Sequence, residues 1–191
     1  PYLGIGGMQI FQRENSDSDD KFMPKFSYIA KRIIAVYLFL LVACVVCYQQ
    51  AGMSWFDAIN HGLTTTSTGG LSTKNNSFAF FDSWRVELVA VVFMILGSLP
   101  MTFYIALLQN KDFHSSRSIQ VVAFFKILGV YILLLSLWLM WHNGMGVLTA
   151  VRYAAFNVIS IVTTTGYAST DYLQWGAWSA ALFLLFSFTG G

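Results

Sequence analysis

Charge is what this chain has least of. Asp, Glu, Lys and Arg make up 10% of its 191 residues, where a soluble domain carries about a quarter, so a fully solvated globular surface is excluded. Cysteine is nearly absent, with 2 residues. Cys44 and Cys47 have C-x-x-C spacing but lie in an apolar run with no neighbouring His or acidic cluster, so they are expected to pack as small side chains. Of 3 prolines, only Pro100 falls inside an apolar run. The histidines His61, His114 and His142 are scattered without metal-ligand spacing, and no G-x-S-x-G, Walker A or G-x-G-x-x-G pattern occurs. An intramembrane enzyme would need convergent Ser/His, Asp/Asp or metal ligands, and the helices offer none, so no catalytic residue is assigned. The net charge of +2 comes with no basic, aromatic-interleaved segment, and no nucleic-acid partner is expected.

What the chain has instead is apolar length. Hydrophobic residues make up 56% of it. Charge-free runs cover Ile33 to Phe56, Leu88 to Asn110, Ile127 to Val151 and Tyr172 to Gly191, each near the roughly 20 residues that cross a bilayer. The first three are expected to span as helices, which makes this an all-α membrane protein with the lipid bilayer as its first partner. The chain begins at Pro1 without a methionine and stops inside an apolar segment, so it is expected to be a piece of a longer protein.

Two apolar stretches are too short to cross, Ser54 to Thr66 and Leu148 to Val162, and each leads into a Thr/Gly motif. Aligning Gly69 with Gly166, an offset of 97, also pairs Ala58 with Ala155, Asn60 with Asn157, Thr66 with Thr163, Thr68 with Thr165, Ser72 with Ser169 and Thr73 with Thr170. This is an internal repeat. Non-helical backbone at membrane depth is tolerated only where protein buries it or water lines it. A half-helix ending there directs its carbonyls and negative dipole end at a cavity, which favours a cation. The expected filter residues are Ser67, Thr68, Gly69 and Gly70, and Thr164, Thr165, Gly166 and Tyr167, with backbone carbonyls replacing the water of a monovalent cation. The alternative is close helix packing by small residues, which duplication behind two half-helices disfavours.

The unit is therefore helix, pore helix, filter loop, helix. Residues 1–12 end a preceding repeat, 13–30 form a cytoplasmic linker, and 31–110 form a complete repeat with its filter near 66–71. Residues 111–125 form a second cytoplasmic linker, and 126–191 a truncated repeat with its filter near 163–168. Basic residues gather before the first helix (Arg13, Lys21, Lys25, Lys31, Arg32) and between the units (Lys111, Arg117, Lys126), while the filter side carries only Lys74, Arg85 and Arg152, which turns the filters outward by the positive-inside rule.

Ser54 and Asp57 have the capping-box pattern, and Asp57 is expected in the first turn of the half-helix as a cap rather than an ion ligand. His61, one turn on, is expected to be a hydrogen-bonded structural residue. Arg152 either snorkels to the outer interface or lies in a solvated loop, and Asp171 either attracts cations at the mouth or is simply solvated. Gly97-Ser98-Leu99-Pro100 bends the apolar run Leu88 to Asn110, as a hinge or as ordinary kinked packing.

The run Gly6-Gly7-Met8-Gln9-Ile10-Phe11, then Phe56-Asp57-Ala58-Ile59 leading to Thr68-Gly69-Gly70-Leu71-Ser72-Thr73, then Thr164-Thr165-Gly166-Tyr167-Ala168-Ser169-Thr170-Asp171, resembles the Trk/Ktr/HKT superfamily, most closely its bacterial Trk-type potassium-uptake membrane subunits. The resemblance covers almost the whole chain. It implies four non-identical repeats around one pseudo-fourfold pore, as in potassium channels, of which only part is present here. It also implies potassium uptake through a gated pore in the bacterial inner membrane, with no cofactor beyond the transported potassium ion. Thr189, Gly190 and Gly191 would begin the glycine-rich gate loop. A homodimer and a cytosolic nucleotide-binding regulatory subunit are the implied partners. Ala168 stands where a potassium channel has a second filter glycine, which implies a shorter filter. A sodium-permeable or sodium-coupled member, and a non-conducting structural membrane subunit, are the alternatives.

Overall fold

The computed structural model describes residues 19–100, 103–104 and 117–188, with side chains from residue 30 and, after the gap, from residue 121. Six helices carry the fold: α1 (Asp19–Gln50), α2 (Trp55–Thr66), α3 (Trp84–Ser98), α4 (Arg117–His142), α5 (Val147–Val162) and α6 (Ala177–Ser187). No strand occurs among the described residues. Ala30–Gln50 of α1 and Val121–His142 of α4 are long and apolar enough to cross a membrane. With 12 and 16 residues, α2 and α5 reach only about 18 and 24 Å against a hydrocarbon core of about 30 Å.

Local chemistry sets these boundaries. Gly52, at φ 112°, turns the chain after α1, and extended Ser54 accepts a hydrogen bond from Asp57 N at 3.1 Å to start α2. Gly144, at φ 64°, and extended Gly146 make the corresponding turn before α5. Leu99, just before Pro100, is extended at ψ 140° and ends α3, because the proline ring disfavours helical backbone in the residue before it. The run Leu88 to Asn110 is thus not one continuous helix as expected: it breaks at Leu99. Residues 105–116 lie outside the described residues. Within the segment expected as a linker over 13–30, α1 is helical from Asp19, where Asp19 and Asp20 suit the positive end of the helix dipole. At the second linker, α4 is helical from Arg117.

The packing falls into two similar groups. In the first, α1 and α3 flank α2; in the second, α4 and α6 pack on α5; α3 joins the groups by packing on α5. On α3, Val86, Ala90, Phe93 and Met94 are buried while Trp84, Leu88 and Val92 are exposed. Both faces are apolar, so the outer one suits lipid rather than water. Phe39 and Val42 on α1 and Leu133, Leu137 and Trp141 on α4 are likewise exposed. Cys44 is buried in the core and both cysteines are free thiols, as packing residues should be.

Phe78, from a short 3₁₀ turn at Ser77–Phe80, is fully buried between the groups. Its ring lies 4.4 Å from Tyr167 and 5.3 Å from both His61 and Phe156. On the other side of α2, Gly62 lets α1 approach closely, since a Cβ there would come within 2.5 Å of Val45 Cγ2. Gly62→Val should therefore destabilise the full-length protein by about 1–3 kcal/mol through overpacking, and Val45→Ala in the same protein should recover most of that loss. Thermal unfolding in detergent measures both.

Candidate functional site

The two Thr/Gly loops have the same hydrogen-bond pattern. After α2, Ser67 N donates to Leu63 O at 3.2 Å, Thr68 N to Thr65 O at 3.1 Å and Gly69 N to Thr64 O at 2.7 Å. After α5, Thr163 N donates to Ile159 O, Thr164 N to Ile161 O and Thr165 N to Ser160 O, each at 2.9 Å. Side chains repeat the pattern. Ser67 Oγ and Thr163 Oγ1 donate to the carbonyls of Leu63 and Ile159, and Thr64 Oγ1 and Ser160 Oγ donate to those of Leu71 and Tyr167. All these pairs stand 96 residues apart, which corrects the expected offset of 97. Gly166 is matched by Gly70, and Gly69 by Thr165. Backbone angles agree, because Thr68 and Thr164 (φ 52° and 58°) and Gly70 and Gly166 (φ 65° and 87°) are left-handed. Gly69 is not among the positive-φ glycines, so it is not the counterpart of Gly166 that the expected alignment made it.

The corrected register pairs His61 with Asn157. His61 Nδ1 bonds to Asp57 O at 2.8 Å and Nε2 to Ser72 Oγ at 2.9 Å. Asn157 Nδ2 donates to Tyr153 O at 2.8 Å and to Ser169 Oγ at 2.9 Å. Each buried side chain ties its half-helix to the segment leaving the loop. His61 is thus the structural histidine expected, although it meets the Asp57 backbone rather than the carboxylate.

The loops also interlock. A Cβ on Gly70 would overlap the carbonyl oxygen of Thr165, so the two backbones touch where only glycine fits. Tyr167 is buried and reaches into the first group, where its hydroxyl bonds to Thr64 Oγ1 and, at 3.2 Å, to Thr65 Oγ1. Tyr48 of α1 continues the chain to Thr65 Oγ1 at 2.8 Å. Ala79 N donates to Ala168 O at 3.1 Å and Ala168 N to Ser77 Oγ at 3.2 Å. Of the expected filter residues, Ser67, Gly69, Thr164 and Gly166 are exposed, Thr68 and Gly70 are half-buried, and Thr165 and Tyr167 are buried. Thr189, Gly190 and Gly191 lie outside the described residues.

At the other end of the half-helices the polar groups pair. Asp57 is buried, accepts from Ser54 Oγ at 2.9 Å and Thr73 Oγ1 at 2.5 Å, and pairs with Lys74 Nζ at 3.3 Å. These bonds, that from Thr73 above all, hold its carboxyl below the usual range despite the opposing effect of burial. Asp171 is exposed and caps the turn after the second loop, accepting from Leu173 N at 3.2 Å and Gln174 Nε2 at 3.0 Å. Arg152 does not lie in a loop. From within α5 it grips buried Glu87 of α3, Nε to Oε2 at 2.7 Å and Nη2 to Oε1 at 2.9 Å. Glu87, Tyr48, Thr65 and Phe78 were not expected at the site. A lone acid at the edge of an apolar run is the one sequence signal that marks Glu87.

Helices long and apolar enough to span a bilayer, with two shorter helices that end in touching Thr/Gly loops, are the features of a membrane protein of the transport class. The chain belongs to the TrkH family of cation transport proteins, whose family model matches residues 1–191. It is 36% identical over 192 residues to the Trk system potassium uptake protein TrkI of Halomonas elongata, covering 100% of this chain and 39% of that protein. To TrkG of Escherichia coli K12, also a Trk system potassium uptake protein, it is 34% identical over 194 residues, covering 100% of this chain and 40% of that one. The crystal structure of the potassium transporter TrkH from Vibrio parahaemolyticus matches with a TM-score of 0.80 at 32% identity, over 88% of this chain and 37% of that chain. The chain thus spans about two fifths of the length of these relatives.

The corrected register yields a stability test. Gly70→Ala must push the Thr165 carbonyl aside at a left-handed backbone, whereas a Cβ on Gly69 meets Ser67 Oγ at 3.3 Å and Thr64 O at 3.8 Å. Gly70→Ala should cost about 1–3 kcal/mol and Gly69→Ala clearly less, compared by thermal unfolding of the full-length protein in detergent. A pH series tests Asp57. Because its folded pKa is lowered, its contribution is complete above the unfolded value of about 3.9 and is lost as pH falls through the folded value. The stability gap between wild type and Asp57→Asn should therefore be widest near neutrality and close below that point.

Proposed function

We propose that the protein forms part of a potassium-uptake pore in which the carbonyls of the two Thr/Gly loops replace the water of the dehydrated ion. The observation that carries this reading is the repeated hydrogen-bond pattern of the loops, each at the carboxyl end of a half-helix, with their backbones in contact at Gly70 and Thr165. Such ends direct carbonyl oxygens and the negative dipole at one cavity. The names of the TrkI and TrkG relatives, both potassium uptake proteins, support potassium as the ion.

Two loops supply half of a fourfold ring, and the remaining repeats belong to sequence beyond these residues. Leu71, the counterpart of Tyr167, is 73% exposed, as expected if its neighbour lies in a further repeat. The filters face outward from the bacterial inner membrane, with the basic linkers in the cytoplasm. Thr189 to Gly191 begin the gate loop, and a homodimer with a cytosolic nucleotide-binding subunit is the assembly. No bond is made or broken, so the protein is a transporter and not an enzyme.

The test is rubidium uptake and potassium-limited growth of a strain lacking its own importers, complemented with the full-length protein. At φ 87°, Gly166→Ser strains the left-handed turn by about 1–2 kcal/mol and should lower potassium affinity and preference over sodium by roughly tenfold at normal protein level. Cys44→Ala with Cys47→Ala should leave uptake unchanged. Wild-type selectivity in the Gly166 variant would remove the filter assignment.

A further inference from the structure

The two half-helices are anchored differently at the ends far from their loops. On α2 the anchor is internal, because Asp57 binds Ser54, Thr73 and Lys74 of its own repeat. The first turn of α5 has no side-chain cap, and Val147, Leu148 and Thr149 are exposed. Its polar anchor comes a turn later and crosses to the other repeat: Arg152 to Glu87. The guanidinium makes a two-point fork on the carboxylate at 2.7 and 2.9 Å, lies 3.8 Å from exposed Asp82, and sits 5.7 Å from the Tyr153 ring. Glu87 is only 4% exposed, and a buried carboxylate of that kind holds its partner in one geometry.

We infer that Glu87 and Arg152 are positioning residues that set ion preference by fixing the tilt of α5 against the neighbouring repeat. The inference rests on the potassium-pore reading. Arg152 lies about 16 Å along the axis from the last carbonyls of α5. At the loop end, Tyr167 holds the same unit to Thr64 and Thr65 of the first repeat. Two separated polar attachments to the first repeat fix both position and tilt, whereas one leaves the tilt to apolar packing on α3, α4 and α6 alone. Because Gly70 already touches the Thr165 carbonyl, a pivot changes the spacing between carbonyls of the two loops directly. The pair touches no ion and acts only through that spacing.

The experiment measures the ratio of rubidium to sodium uptake affinity, with protein amount and dimer content recorded, for full-length wild type, Glu87→Gln, Arg152→Lys and the exchange Glu87→Arg with Arg152→Glu. Arg152→Lys keeps the charge but loses the fork. Both single variants should lower the ratio by roughly tenfold in protein of normal amount, and the exchange should restore at least part of it. A merely structural pair would reduce the amount of protein and leave the affinity ratio of the remaining molecules unchanged. Wild-type ratios in both single variants would overturn the inference even if the exchange variant fails to assemble. Absence of potassium-selective uptake by wild type would instead remove the proposed function, and this inference with it.

Discussion

A short helix that ends in the middle of a helical bundle leaves its last carbonyls without intrahelical partners, and the structure depends on how that constraint is met. Here it is met twice in the same way. The chain turns back through a left-handed threonine, Thr68 or Thr164, so that the following amides bond to carbonyls of the last helical turn. Serine and threonine hydroxyls take up others from the same turn. A left-handed glycine, Gly70 or Gly166, then releases the chain.

Much of the core gathers behind the two loops. Phe78 lies between the repeats against His61, Phe156 and Tyr167. The hydroxyls of Tyr48, Thr64, Thr65 and Tyr167 form one connected group within that aromatic cluster. In low dielectric such a group is rigid only when every member is satisfied. The deletion of one hydroxyl therefore reaches both loops, because Thr64 also donates to Leu71 O. The charged residues keep to the opposite ends of the half-helices, where Asp57 and Lys74 close one repeat on itself and Glu87 and Arg152 join two.

The half-helices were legible in the sequence because their causes are local. Ser54 and Asp57 mark the start of α2, and short apolar length distinguishes both half-helices from spanning helices. The register was not. Identities such as Asn60 with Asn157 and Gly69 with Gly166 favour an offset of 97, and Ser72 and Ser169, bonded to His61 and Asn157, do stand at that offset. One residue more lies between half-helix and serine in the second repeat, so the matches after the loops drew the helices into the wrong register. A one-residue slip rotates a helix by about 100°, which moves every side chain to another face. Only the hydrogen bonds reveal His61 and Asn157 as counterparts. Long-range pairing was equally hidden: nothing near Arg152 in sequence announces Glu87.

The central claim is that the Thr/Gly loops coordinate a dehydrated potassium-like ion through backbone carbonyls. Anomalous diffraction from rubidium-soaked crystals of the full-length protein tests it directly. The account predicts an anomalous peak between the loops, in direct contact with main-chain carbonyl oxygens around Gly70, Thr165 and Gly166. Rubidium held only by side chains elsewhere, with the loops turned to lipid, would contradict it.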